Sequence, residues 1–131
     1  MIAAALFMSL TLSGAEADAG TQFDLVCTET LAKGRPSTPQ YRFRIDLDQN
    51  RWCEDDCTTP REIAAVTADR YTLVDREFRG QRLQTTSLNY VDRVTGEQSE
   101  LMIARGALVQ VTERRGLCEK APFSGMPQPR L

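Results

Sequence analysis

Between Tyr41 and Asp48 the chain reads YRFRIDLD, apolar and charged residues in strict alternation. Successive side chains of an extended strand point to opposite faces. Tyr41, Phe43, Ile45 and Leu47 therefore share one face, and Arg42, Arg44, Asp46 and Asp48 share the other. A helix, with its period of about 3.6, would scatter the same residues around its circumference. The segment predicts a strand with one buried and one wet face. Asp48-Gln49-Asn50-Arg51 then supplies turn formers that reverse the chain and place Trp52 on a short return strand.

The same period recurs elsewhere. Gln22 to Thr28 reads as a first strand with Phe23, Leu25 and Cys27 facing the core. The AKGRPSTPQ segment after it is a connection, because Pro36 and Pro39 lack the N–H groups that a ladder requires. Further strands are expected at Glu62 to Thr67, Tyr71 to Asp75, Gln84 to Asp92, Glu97 to Ala104 and Leu108 to Glu113. The best-marked turn is Asp92-Arg93-Val94-Thr95-Gly96. It would set Leu88 and Tyr90 against Leu101 and Ile103 and bury a second apolar patch. Arg61 to Ala68 holds a single helical turn at most. The prediction is an all-β fold, one small antiparallel β-meander of about seven to eight strands, closed as a barrel or folded as a sandwich. Its 131 residues, 41% hydrophobic and 26% charged, fit one globular domain.

Residues 1–19 read as a signal peptide. An apolar run from Ile2 to about Leu12 gives way to small and polar residues, and both Ala15-Glu16-Ala17 and Ala17-Asp18-Ala19 permit cleavage, after Ala17 or Ala19. The run is shorter than the roughly 20 residues that span a bilayer. Cys27 follows Asp24-Leu25-Val26, not the small residues of a lipoprotein signal. No membrane anchor is expected after cleavage, and the localisation is periplasmic or secreted. The β domain then occupies residues 20–124, and residues 125–131 form an irregular, Pro-rich C-terminal tail. Cleavage removes Glu16, or Glu16 and Asp18, from the 18 acidic residues, leaving a nearly neutral protein with 16 basic ones. Non-specific nucleic-acid binding needs a basic excess that is absent here.

Four cysteines in an exported chain are read first as disulfides. In RWCEDDC, Arg51 to Cys57, three acids separate the cysteines, whereas the redox motif has two intervening residues and opens a helix. Acidic neighbours also oppose thiolate formation. With no His in the chain, zinc would require all four cysteines or a carboxylate from Glu54, Asp55 or Asp56. Asp46-x-Asp48-x-Asn50 imitates the start of a calcium loop, but Arg51 and Cys57 stand where that loop needs Gly and Glu. Neither metal nor cofactor is expected. The expected pairs are Cys53–Cys57, neighbours across a tight turn, and Cys27–Cys118, which ties the first strand to the chain end.

The motifs FDLVCT, YRFRIDLDQNRWC, LNYVDRVTG and GLCEKAPF together resemble small exported bacterial proteins of unknown function, a resemblance that covers most of the mature chain. It implies export and a β-meander, and it assigns no activity. The residues themselves offer no Ser-His or Cys-His pair, no Gly-rich phosphate loop and no G-x-S-x-G elbow. No catalytic residue is expected. The expected function is that of a monomeric, non-catalytic binding or structural module whose partner is an envelope or extracellular protein or a glycan, inhibitors of hydrolases included. The candidate contact surface is the wet face with Arg42 and Arg44, since two Arg spaced by two on a strand offer bidentate recognition of anions. The alternative is a small carboxylate-dependent hydrolase, which two carboxyl groups about 5 to 9.5 Å apart in a cleft would favour.

Overall fold

A computed structural model describes residues 20–127; the expected signal peptide and residues 128–131 of the tail lie outside the described residues. Nine strands form one antiparallel sheet: β1 (Gln22–Lys33), β2 (Gln40–Asp46), β3 (Arg51–Glu54), β4 (Arg61–Glu62), β5 (Ala65–Val66), β6 (Arg70–Arg79), β7 (Gln84–Asp92), β8 (Glu97–Arg105) and β9 (Val109–Ala121). Their order across the sheet is β4-β3-β2-β1-β9-β8-β7-β6-β5. No helix occurs among the described residues. The fold is all-β as expected, with one strand more than the expected seven to eight, because the segment read as a single strand at Glu62 to Thr67 is two.

That division shapes the molecule. β4 and β5 are the two edges of the sheet, yet only Ile63 and Ala64 separate them. The Ile63 N–H donates to the Asn50 carbonyl at 3.1 Å on one side, and the Ala64 N–H donates to the Thr72 carbonyl at 2.9 Å on the other. Neighbouring Cα atoms are about 3.8 Å apart, so the two edges must approach each other. The sheet curls into a half-barrel whose concave face is the inside.

The core follows the alternation. Phe23 and Leu25 of β1, Tyr41, Phe43 and Ile45 of β2, Trp52 of β3, Tyr71 and Leu73 of β6 and Val91 of β7 are all buried. The Asp92 carboxylate accepts the N–H groups of Val94 and Thr95 at 2.8 and 3.0 Å, and Gly96 closes that turn at φ 78°. The apolar pairs expected beyond the turn are only partly realised. Leu88 does oppose Leu101, but Ile103 opposes Thr86 and Tyr90 opposes Ser99. These residues lie on the convex face and stay half-exposed, because Asn89, Val91 and Gln98 take the inner positions.

The last strand runs past the expected end at Glu113 and pairs with β1, Cys27 directly opposite Cys118. Both expected disulfides are present, Cys27–Cys118 with 3.9 Å between Cα atoms and Cys53–Cys57 with 5.7 Å. The outer face of β1 and β2 is not simply wet. Asp24 and Asp46 are fully buried there. The irregular segment after β9 lies across this face: the Ser124 N–H donates to Asp24 at 3.2 Å and Arg44 donates to the Gly125 carbonyl at 3.4 Å.

Candidate functional site

Counting in twos from Cys118 along β9 places Gly116 and Arg114 inside the half-barrel. Register places Asn89 of β7, Glu100 of β8 and Arg114 of β9 in one row across three strands. Glu54 of β3, opposite Phe43, comes in from the other wall. Arg114 is only 2% exposed. Its Nη2 donates to Glu54 Oε1 at 2.6 Å and to Glu100 Oε2 at 2.8 Å, and its guanidinium carbon lies 4.0 Å from the centre of the Tyr41 ring.

The network continues from there. Asn89 Nδ2 donates to Glu100 at 3.1 Å, Gln98 Nε2 donates to Asn89 Oδ1 at 3.1 Å, and the Tyr41 hydroxyl donates to Gln98 Oε1 at 2.6 Å. Arg35, from the β1–β2 connection, pairs with the second oxygen of Glu100. Gly116 makes room for this arrangement. A Cβ at that position would stand 2.0 Å from the Tyr41 hydroxyl.

Burial pulls the pKa of Arg114 down, but its hydrogen bond to Glu54 and the charges of Glu100 and Glu54 outweigh that and raise it overall. Arg114 is a fixed cation. Tyr41 is pushed up to about 12, first by burial and then, against the opposing pull of Arg114, by the carboxylates of Glu100, Glu29 and Glu54. Its proton stays on the hydroxyl, as donation to Gln98 requires.

Next to this network lies a cavity of about 860 Å³ between β3 and β6–β8. Trp52, Ile63, Leu73 and Met102 form apolar parts of its wall, and Glu54, Glu62, Asp75, Glu100, Arg61 and Arg76 are its charged lining. Arg114 and Arg35 pair with Glu54 and Glu100 from behind the wall, so acids and cations balance. Trp52 Nε1 is a buried donor with no hydrogen-bond partner among the described residues.

The residues singled out in the sequence lie elsewhere. Arg42 donates to Asp24 at 2.8 Å, and Arg44 reaches Asp56 at 3.4 Å as well as Gly125. Both guanidinium groups are engaged within the molecule, over a shallow depression bordered by Gln40, Asp55, Asp56 and Ser124. The acids of the calcium-like stretch also have local partners: Asp46 accepts the Gln49 N–H, Asp48 the Thr21 hydroxyl, and Asn50 donates to the Ile63 carbonyl. Among the described residues no group of three or more His, Cys, Asp or Glu is arranged to hold a metal ion. Sequence reading missed Arg114, Glu100, Asn89 and Gln98. The available signal was the period of two carried backward from Cys118 to Arg114 and from Val91 to Asn89, with Gln98 and Glu100 following from the register of the hairpin between them. No family model matches the chain, and neither the curated proteins nor the solved structures compared with it include a similar one.

Proposed function

We propose that this is an exported, non-catalytic binding module whose ligand enters the half-barrel cavity. The observation that carries this reading is the cavity wall itself. Its volume of about 860 Å³ falls in the range of small-ligand sites, roughly 300–1,000 Å³, and it is lined by apolar side chains, carboxylates, arginines and the Trp52 ring together. With Glu54 and Glu100 held by Arg114 and Glu100 also by Arg35, the wall is charged but balanced, which favours a polyhydroxylated molecule on an apolar frame. Two disulfide pairs support an oxidising, exported location.

The hydrolase reading has one specific observation in its favour: Glu54 and Glu100 converge at the cleft. Against it stands Arg114, which bonds both carboxylates through one nitrogen. A glycosidase needs the scissile bond and a proton donor between its two carboxyl groups. Here a buried guanidinium fills that place.

Trp52 is the single tryptophan and lines the cavity, so its emission reports occupancy. Titration with neutral oligosaccharides, amino sugars and amines is expected to give a saturable change for at least one polyhydroxylated class, weakened in Arg76→Gln, whose side chain shares the inner face with Ser87 and Met102. No saturable change with any class would end the cavity reading. Turnover of any of these compounds, lost in Glu54→Gln or Glu100→Gln, would replace it with the hydrolase.

A further inference from the structure

The β6–β7 and β8–β9 hairpins end side by side, away from the core. Arg79, Gln84, Arg105 and Val109 form one row across their four strands. The tips touch, since the space beside Gly106 is bounded by the Arg82 carbonyl oxygen at 3.4 Å and Leu83 Cδ1 at 3.6 Å. Turn tips are ordinarily polar. These carry Leu108, 78% exposed, Val109 at 64%, Phe78 at 56% and Leu83 at 46%.

Single exposed apolar residues need no explanation, but a cluster at one end does. Its charge is also of one sign. Residues 78–91 and 101–112 contain Arg79, Arg82 and Arg105 and no Asp or Glu, although the whole chain is close to neutral. Arg79 has one weak partner, Glu77 at 3.7 Å, and neither Arg82 nor Arg105 has an ion-pair partner among the described residues. None of these tip residues lines the cavity.

We propose that these two hairpin tips dock on the surface of an anionic phospholipid bilayer. Phe78, Leu83, Leu108 and Val109 enter the boundary between headgroups and acyl chains, and the three arginines bind lipid phosphates, which their planar guanidinium groups match in bidentate geometry. The contact is peripheral and reversible. Acidic lipids contribute through each Arg an affinity factor of about fivefold. Replacing all three should therefore weaken binding by about a hundredfold.

The test places a reporter at the tip. In Leu108→Trp the new indole sits at the most exposed tip position, while Trp52 is buried and the parent protein serves as the blank. Vesicles of phosphatidylcholine containing phosphatidylglycerol are expected to shift the emission of Leu108→Trp to the blue, with quenching by brominated acyl chains. Phosphatidylcholine alone should give neither, and added salt should weaken the effect. Arg79→Gln, Arg82→Gln and Arg105→Gln combined in the reporter should lose about two orders of magnitude in lipid affinity with an unchanged far-UV spectrum. Flotation of the Leu108→Trp protein with its tip indole still in water would assign binding to another part of the chain and overturn the proposal. Equal binding to neutral vesicles, or no binding to either, would overturn it as well.

Discussion

Replacing Cys27 and Cys118 together by alanine opens a link that spans 91 positions of the chain. In the folded state the β1–β9 ladder holds the two residues opposite each other in any case, so the bond acts chiefly on the unfolded chain. The chain-entropy relation gives about 4.6 kcal/mol at 25 °C for a loop of that length, and about 2 kcal/mol for the Cys53–Cys57 link, which spans 4 positions. Urea denaturation of the two double-alanine variants measures the difference. With an m-value of about 1.5 kcal/mol/M, the Cys27→Ala/Cys118→Ala midpoint should lie about 1.7 M below that of Cys53→Ala/Cys57→Ala. The comparison between variants is the informative quantity, since each also loses buried sulfur atoms. Equal midpoints, or the reverse order, would refute loop entropy as the main contribution of the long link.

Arg114→Met removes the cation that Glu54 and Glu100 share, and among the described residues only Glu100 keeps another ion-pair partner, Arg35. Both keep part of their side chains in water, 35% and 26%, so the loss should fall below the roughly 3–5 kcal/mol of a fully buried pair, at about 2 kcal/mol in thermal or urea unfolding. Gly116→Ala sets a methyl group 2.0 Å from the Tyr41 hydroxyl, and the buried ring must shift and give up Gln98; destabilisation of about 1–3 kcal/mol is expected, with a smaller loss when Tyr41→Phe is added. Tyr41 has its pKa raised to about 12, so the stability tied to its neutral form is complete below pH about 10 and is lost as pH rises toward 12. Unfolding followed from pH 9 to 12 should show this slope in the parent protein and a reduced one in Tyr41→Phe.

The hairpins were legible because their signals are local. The run at Tyr41 to Asp48 fixes both strand and facing, and Asp92 with Gly96 fixes a turn through side-chain acceptance and a positive φ. The continuation of β9 through Glu113-Arg114-Arg115-Gly116 was not legible in the same way. Two arginines followed by Gly look like the end of a strand, and each owes its place to a distant residue: Arg114 to the two glutamates, Gly116 to the Tyr41 ring that occupies its side-chain space. The candidate site inherits this difficulty. Its members come from β2, β3, β7, β8 and β9, and only the register and curl of the completed sheet bring the row of Asn89, Glu100 and Arg114 to Tyr41 and Glu54. The burial of Asp24 and Asp46 was hidden for a related reason, because the segment that crosses Asp24 follows β9, about a hundred residues later.

RWCEDDC shows how local and distant constraints combine. Its acids look alike in sequence, yet each takes a different direction. Alternation along β3 sends Glu54 inward with Trp52, where it meets Arg114 at 2.6 Å. Asp55 then adopts φ 48°, and its carboxylate accepts the Arg42 N–H at 2.9 Å while its own N–H donates to the Arg42 carbonyl at 2.8 Å. Asp56 stays in water and reaches Arg44 from outside. A reversal this tight would fray if β2 alone held it, because β3 has only four residues. The Cys53–Cys57 bond closes the turn just where the chain leaves the sheet, so the staple contributes less to global stability than the long link and also fixes the direction of Glu54. Its proper measure is therefore the geometry of the cavity wall.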